Sequence, residues 1–324
     1  MPEKNKKIIE EIAVKNNIPK SNPYIVLPGW NNNRVCIFDE KYVIKLGGMY
    51  GDNDIFSHQQ ELLEKLSAIG AKVPKIVDMG TADEEKYLLM TKVSGRTLAQ
   101  IWPTLDQKER KNYFFQVGEE LQKYHSIKFD DYAIAICQNK PKNNLLDAVN
   151  TTIDFSKIKN LQNHTEQEML EWISNFYQKN RSLLSESGTA ALVFNDIRLE
   201  NILASEGKIS GFVDFDWLCQ AAPDYELTKA VYYMYAPQYF SDASLVKSIQ
   251  APMKNEINAF KKAYPDIFDT PNLTARLRLY FIRNILYLLE KYQNDPTDDV
   301  LKRAEFIFDA FYKSDKLESF LFGK

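Results

Sequence analysis

Leu192-Val193-Phe194-Asn195-Asp196-Ile197-Arg198-Leu199-Glu200-Asn201-Ile202-Leu203-Ala204 runs on through Ser205-Glu206-Gly207-Lys208 into Ile209-Ser210-Gly211-Phe212-Val213-Asp214-Phe215-Asp216. Its apolar start predicts a strand that delivers a loop containing Asp196 and Asn201. Glu206-Gly207 predicts a hairpin turn, and the return strand delivers Asp214. A hairpin brings its open ends together, so Asp214 returns close to Asn201. One amide oxygen and one or two carboxylates then converge, all hard oxygen ligands suited to Mg²⁺. Asp196 stands at the start of the loop, free to accept a proton. An isolated Asp in such a place is usually a cap or turn residue; here it belongs to a larger pattern. Asp216 is either a second metal contact or a helix cap.

On the N-terminal side of this island the chain mixes short strands with one helix. Tyr24–Leu27, Val35–Phe38 and Tyr42–Leu46 are β-rich runs, and Asp39-Glu40-Lys41 has hairpin length. Ile55–Ile69 is helical by period, with Leu62, Leu66 and Ile69 in one stripe and Gly70 as a stop. Val73–Val77 and Tyr87–Met90 read as further strands. Thr91–Gly95 is a crossing segment. Beyond it the chain turns helical, over Leu105–Ile127, Glu168–Leu184, Leu273–Tyr292 and Asp298–Tyr312, with residues 190–216 as a strand-rich insert. The expected organisation is α+β and bilobal: a small antiparallel-sheet lobe with one helix over residues 1–93, and a larger, mainly helical lobe over residues 94–324.

Asp, four residues, Asn, and then a second metal-binding Asp is the arrangement that phosphoryl transfer uses in kinase-like enzymes. The stretch resembles the aminoglycoside phosphotransferase family, with its relatives the choline and other small-molecule kinases. The family loop runs His-Gly-Asp, four residues, Asn, and its metal loop Ile-Asp-Trp-acid. This chain has Phe194-Asn195-Asp196, four residues, Asn201, and Val213-Asp214-Phe215-Asp216. Ala222-Pro223-Asp224-Tyr225-Glu226-Leu227 resembles the family's following Asp-Pro-x-Tyr-Asp-Leu, with Glu226 in the acidic place. Lys45 in Val43-Ile44-Lys45, the segment Leu89–Gly95, and Tyr124-His125-Ser126 match in order.

The resemblance implies a protein-kinase-like fold and transfer of the γ-phosphate of ATP to a hydroxyl of a small molecule, an aminoglycoside-like antibiotic or a related amine or sugar. It implies that Asp196 orients the acceptor hydroxyl and takes its proton, and that Arg198 touches the transferred phosphate. Asn201 and Asp214 would hold Mg²⁺, and Lys45 the nucleotide phosphates. Adenine would bond backbone within Met90, Thr91 and Val93. The helix carboxylate that pairs Lys45 is assigned to Glu61, although counting back from Leu66 lands on Gln59. Two departures favour a rival, a non-catalytic nucleotide-binding pseudokinase: Phe194 replaces the His that braces the family's loop, and the helix carboxylate is displaced. The intact Asp196, Asn201 and Asp214 argue for the enzyme. A protein kinase is disfavoured, because no Ala-Pro-Glu segment follows Asp214.

Other residues have plainer readings. Gly29-Trp30-Asn31-Asn32-Asn33 would replace a glycine-rich phosphate loop, since Asn tolerates left-handed geometry. His125 reads as a core histidine. Tyr232, Tyr233, Tyr235 and Tyr239 either stack on an acceptor or form the core of a helix. Asp266, Asp269, Asp295, Asp298 and Asp299 either attract a cationic acceptor or form a solvated face. Across 324 residues, 41 Lys+Arg against 44 Asp+Glu gives a net charge of −3, which argues against a nucleic-acid or membrane surface. Cys36, Cys137 and Cys219 are odd in number and far apart. They speak against disulfides or structural zinc and for a cytoplasmic setting. Met1–Val14 reads as a charged amphipathic helix without a signal peptide's apolar centre, and no apolar run is long enough for a membrane span.

Overall fold

The computed structural model describes residues 3–19, 24–27, 34–38, 41–47, 49–50, 53–134, 140–159, 164–185, 188–239, 241, 243–294 and 297–323. The chain is α+β and bilobal. One compact unit is Met1–Thr97 with Asn201–Asp216, and the other is Leu98–Glu200 with Trp217–Lys324. The chemistry-bearing segment is therefore shared. Asp196 and Arg198 lie on the second unit, Asn201 and Asp214 on the first. The Gly29–Asn33 loop, Cys137 and Asp295 lie outside the described residues.

The first unit opens with α1 (Glu3–Lys15) and holds strands β1 (Tyr24–Leu27), β2 (Arg34–Phe38) and β3 (Tyr42–Leu46), then α2 (Ile55–Ala68), β4 (Ile76–Ala82) and β5 (Glu85–Thr91). The strands form an antiparallel sheet in the order β1-β2-β3-β5-β4. Ile8, Ile9, Ile12 and Ala13 of α1 are buried together with Cys36, Ile44, Leu46, Tyr87 and Leu89. The amphipathic N-terminal helix thus covers one face of this sheet. Strand alternation then puts Lys45, between Ile44 and Leu46, on the opposite face. The strand expected from Val73 starts at Ile76. Pro74 has no N–H to give a ladder, which delays the pairing.

Ile202–Ser205 and Lys208–Phe212 form the expected hairpin, turning through Glu206 (φ 52°) and Gly207 (φ 75°). Its edge pairs with Arg96–Thr97. Beside it Gly95 has φ 98°, and a Cβ there would lie 2.2 Å from the Ala204 carbonyl oxygen. Gly95→Ala is therefore expected to cost about 2–5 kcal/mol from left-handed strain plus overlap with backbone that cannot yield. Urea unfolding measures it, and a loss under about 0.5 kcal/mol, the range of an ordinary surface substitution, would contradict this close approach.

The second unit contains α3 (Gln107–Ser126), α4 (His164–Asn180), α5 (Glu226–Tyr235), α6 (Lys254–Ala263), α7 (Leu273–Asn294) and α8 (Asp298–Phe308). Asp106 caps α3 in a reciprocal box with Glu109. Phe114, Val117, Leu121 and Tyr124 form its buried stripe. Gly118 lets α6 approach closely, since a Cβ there would lie 2.8 Å from that of Ala263. The helix expected over Glu168–Leu184 begins at His164 and tightens into a 3₁₀ turn at Arg181–Leu184. The one expected to reach Tyr312 gives way after Phe308 to a π turn, where Arg278 draws off the Phe311 carbonyl. Ala190–Val193 lies between Lys128–Phe129 and Cys219–Ala221 in a small sheet.

Candidate active site

In the first unit, the hairpin closes where the Val213 N–H donates to the Asn201 carbonyl at 3.0 Å, so Asn201 and Asp214 emerge side by side from its open end. Asp214 has φ 63°, a left-handed geometry that Asp tolerates better than most residues and that turns the chain sharply there. Lys45 Nζ donates to Asp214 Oδ1 at 2.9 Å and to Asp216 Oδ1 at 2.5 Å. Its side chain is 7% exposed, against 49% for Asp214. Burial alone would lower the Lys45 pKa, but the Asp214 and Asp216 carboxylates overcome it and hold the ammonium above its usual range. Asp216 is thus a partner of Lys45.

Glu61, expected to pair Lys45, does not. It is exposed and bonds Lys65 at 2.7 Å, one helical turn away. Gln59 occupies the inward position and donates to Asp216 Oδ1 at 2.6 Å. Two residues along a helix turn the side chain by about 200°, so both positions cannot face the same partner. Met90 and Thr91 are the last two residues of β5, and Lys92 and Val93 follow it. Met90 pairs with Val43 and with Ile76, and Thr91 exchanges backbone and hydroxyl bonds with Lys75.

Asn201, Asp214 and Asp216 are hard oxygen donors, the chemistry that Mg²⁺ takes. Among the described residues no group of three or more His, Cys, Asp or Glu forms a metal cage. A set of one amide and one or two carboxylates fits an ion that completes its shell with phosphate oxygens and water.

In the second unit, the strand Ala190–Val193 runs into Phe194 and Asn195. Glu226, fully buried at the start of α5, accepts the Phe194 N–H and the Asn195 N–H, each at 2.8 Å. His125 Nε2 lies 3.3 Å from Glu226, and its Nδ1 lies 2.9 Å from the Tyr264 hydroxyl, so His125 is a core histidine as expected. Asn195 sits at φ 56°, which Asn accepts readily, and this presents Asp196. Phe194 is buried edge-to-face on Tyr124. A carboxylate gripping two loop amides therefore braces the loop where an apolar side chain stands in place of histidine.

Asp196 is 4% exposed. Tyr233 donates to its Oδ1 at 2.9 Å, and Lys229 Nζ lies 3.8 Å from the same oxygen. Burial, and then the Asp196 charge, hold the Tyr233 phenol well above its ordinary range, so it keeps the proton it donates. Lys229 also lies 3.4 Å from the centroid of the Trp217 ring, whose face attracts a cation. Arg198 lies 3.5 Å from Glu200 and 5.9 Å from the Tyr233 ring centroid. Of the remaining tyrosines, Tyr232 is buried and bonds Arg303, and Tyr235 packs on Phe306, Phe311 and Phe320. Asp266, Asp269 and Asp299 are exposed. Spacing along the helix pointed to Gln59 although the pairing was assigned to Glu61, and neither Lys229 nor Tyr233 was singled out for these contacts by sequence.

Lys229 carries a pH signature. Burial lowers its pKa to about 8, against the opposing pull of Asp196. The unfolded chain then binds more protons between about pH 8 and pH 10.5, so this group penalises stability fully below pH 8 and the penalty fades as pH rises toward 10.5. Lys229→Met is expected to be more favourable relative to wild type at pH 7 than at pH 10, by up to about 3 kcal/mol. Paired urea melts at the two pH values measure this difference, and a difference that does not change with pH would contradict it.

Residues 54–248, more than half of the chain, match the model of the phosphotransferase enzyme family, APH. No curated protein matches the chain. Among solved structures, aminoglycoside phosphotransferase APH(4)-Ia is 14% identical with a TM-score of 0.69, the match covering 94% of this chain and 98% of that one. A thermostable mutant of that enzyme, in a ternary complex with AMP-PNP and hygromycin B, is 14% identical with a TM-score of 0.67 over 97% of each chain. The streptomycin-ATP-APH(2")-IIa ternary complex is 17% identical with a TM-score of 0.60 over 98% of each chain. Identities this low speak for the fold, while the family match rests on the sequence itself: the chain belongs to the phosphotransferase enzyme family.

Proposed function

We propose that the chain is an ATP-dependent phosphotransferase acting on a hydroxyl of a small molecule. The observation that carries this is the buried Lys45 ammonium held by Asp214 and Asp216, a preorganised cation beside half-exposed carboxylate. The nucleotide would be held by residues 1–93, with adenine against Met90, Thr91 and Val93. Lys45 would turn from its carboxylates to the phosphates. Asn201 and Asp214, with Asp216, would hold Mg²⁺, which supplies charge neutralisation on the phosphate oxygens.

The acceptor would be held by residues 94–324. Asp196 would accept a hydrogen bond from the acceptor hydroxyl and align its oxygen with the γ-phosphorus. As that oxygen bonds phosphorus and the bond to ADP breaks, the hydroxyl proton passes to Asp196. Tyr233 and Lys229 fix the carboxylate's orientation, and Arg198 would meet the charge on the transferred group. Catalysis is then positioning and electrostatic stabilisation.

Magnesium-dependent ADP release across a panel of hydroxyl compounds tests this function. A charged hydrogen bond to phosphate is worth ~1.5–3 kcal/mol, so Lys45→Ala is expected to weaken ATP binding about ten- to a hundredfold. Isothermal titration showing unchanged affinity would remove Lys45 from the site. ATP binding without turnover on any acceptor would favour the pseudokinase.

A further inference from the structure

Lys45 is buried, and among the described residues the carboxylates within ion-pair distance of it are Asp214 and Asp216. The two are not equivalent. Asp214 is 49% exposed and emerges beside Asn201. Asp216 is 18% exposed, and its Oδ1 takes both the Lys45 ammonium and the Gln59 amide. Helix α2 brings Lys45 no charge of its own. Its carboxylates are Glu61, which bonds Lys65, and Glu64, which accepts from Gln60. The residue that α2 buries against Asp216, Gln59, is neutral. The proposed Mg²⁺ site therefore draws on Asp214, a carboxylate that the buried lysine already uses.

We propose that Asp216 is a positioning residue, the standing counter-ion of Lys45, which frees Asp214 for the metal. The inference rests on the phosphotransferase function proposed above and deepens it. A buried ammonium without a counter-charge is costly, so Lys45 needs one carboxylate that does not change partner. The inner one, Asp216, meets that need. Turning to the phosphates, Lys45 would leave Asp214 and keep Asp216. An ammonium has three protons, so a bond to Asp216 leaves others for phosphate oxygens. The phosphates bring negative charge of their own, but they cannot fix where the ammonium stands before they arrive. Asp216 and Gln59 fix it in advance. Gln59 grips the shared oxygen at 2.6 Å and holds the carboxylate still while Asp214 turns outward. An amide suits that place because it donates to Asp216, where a second carboxylate would repel it. Without Asp216, Lys45 would stay on Asp214 and compete with the metal for it. Asp216 would thus serve the metal through Lys45.

Two measurements on the full chain test this. The first is urea unfolding without metal or nucleotide. Gln59→Glu is expected to lower the unfolding midpoint of wild type, where it sets two carboxylates against each other. In Asp216→Asn the same substitution is expected to raise the midpoint. Lys45 and Gln59 touch the same oxygen, so a carboxylate at position 59 stands next to Lys45. Any result but this reversal of sign overturns the inference. The second is Mn²⁺ titration read by electron paramagnetic resonance, with AMP-PNP saturating each protein. Asp216→Asn is expected to weaken Mn²⁺ by about tenfold or more, the scale of one charged hydrogen bond. In a Lys45→Met background the same change is expected to cost less than about threefold, because its effect runs through Lys45. Equal losses in the two backgrounds make Asp216 a metal ligand alone, and no loss in either removes it from the site; both overturn the inference. ADP release across the panel of hydroxyl compounds judges the phosphotransferase separately. A chain that releases ADP yet shows equal Mn²⁺ losses keeps the function and loses the inference. A chain that binds no Mn²⁺ with AMP-PNP loses the proposed function, and with it the metal's claim on Asp214, while the pairing of Lys45 with Asp216 still stands or falls on the urea reversal.

Discussion

Asp196→Asn is expected to leave nucleotide affinity within about twofold of wild type and to lower kcat by ~10²–10⁴. The substitution keeps the side chain's shape, and the Tyr233 hydroxyl can still donate to the remaining oxygen. What it removes is the ability to take a proton and the counter-charge to Lys229, 3.8 Å away. Phosphoryl transfer through a loose transition state asks little of a base early on, so part of the loss would be lost orientation of the acceptor hydroxyl. Single-turnover phosphorylation of the best acceptor in the panel, with both proteins saturated with MgATP, measures the effect. A rate within about twofold of wild type would remove Asp196 from the reaction, since base catalysis is worth far more.

Much of this arrangement was legible before any coordinates. Glu206-Gly207 between two apolar runs predicts the hairpin, and hairpin geometry alone brings Asn201 beside Asp214. Lys45 stood out through its place in Val43-Ile44-Lys45, which the resemblance ties to the nucleotide phosphates. That Asp216 joins Asp214 in pairing Lys45 depends on a sharp backbone turn at Asp214 that no residue pattern announces. The inward position on α2 was legible and was misassigned. The buried stripe Ile55, Gln59, Leu62, Leu66 follows helical spacing, and Glu61 falls off it. Preference for a carboxylate on the helix opposite lysine overrode that spacing, yet the carboxylates come from Asp214 and Asp216. Lys229 was beyond reach. Three residues past Glu226 on a helix it looks like an ordinary surface lysine, and only the fold shows it buried against Trp217 and Asp196.

Arg276→Met is expected to destabilise the protein by about 3–5 kcal/mol, the cost of stripping one partner from a buried ion pair. Arg276 on α7 donates from Nε to Asp224 Oδ2 at 2.7 Å and from a terminal nitrogen to Oδ1 at 2.9 Å, with both residues under 5% exposed. It also holds the Leu183 carbonyl and the Tyr280 hydroxyl. In the variant, Asp224 loses both guanidinium bonds and keeps the Tyr280 donor, 3.1 Å away, for a carboxylate sealed from water. The consequence reaches the site because Asp224 stands two residues before Glu226, whose carboxylate grips the Phe194 and Asn195 amides ahead of Asp196. Urea unfolding gives the loss, and a value below about 1 kcal/mol, typical of an exposed pair, would contradict burial of this pair. The double variant Asp224→Leu/Arg276→Met separates charge from packing. If the stranded carboxylate causes the loss, the double variant is more stable than Arg276→Met alone, because apolar groups of similar volume carry no such penalty. If it is less stable, the bonds from Arg276 to Leu183 and Tyr280 hold this corner of the fold, and the charge of Asp224 is incidental to it.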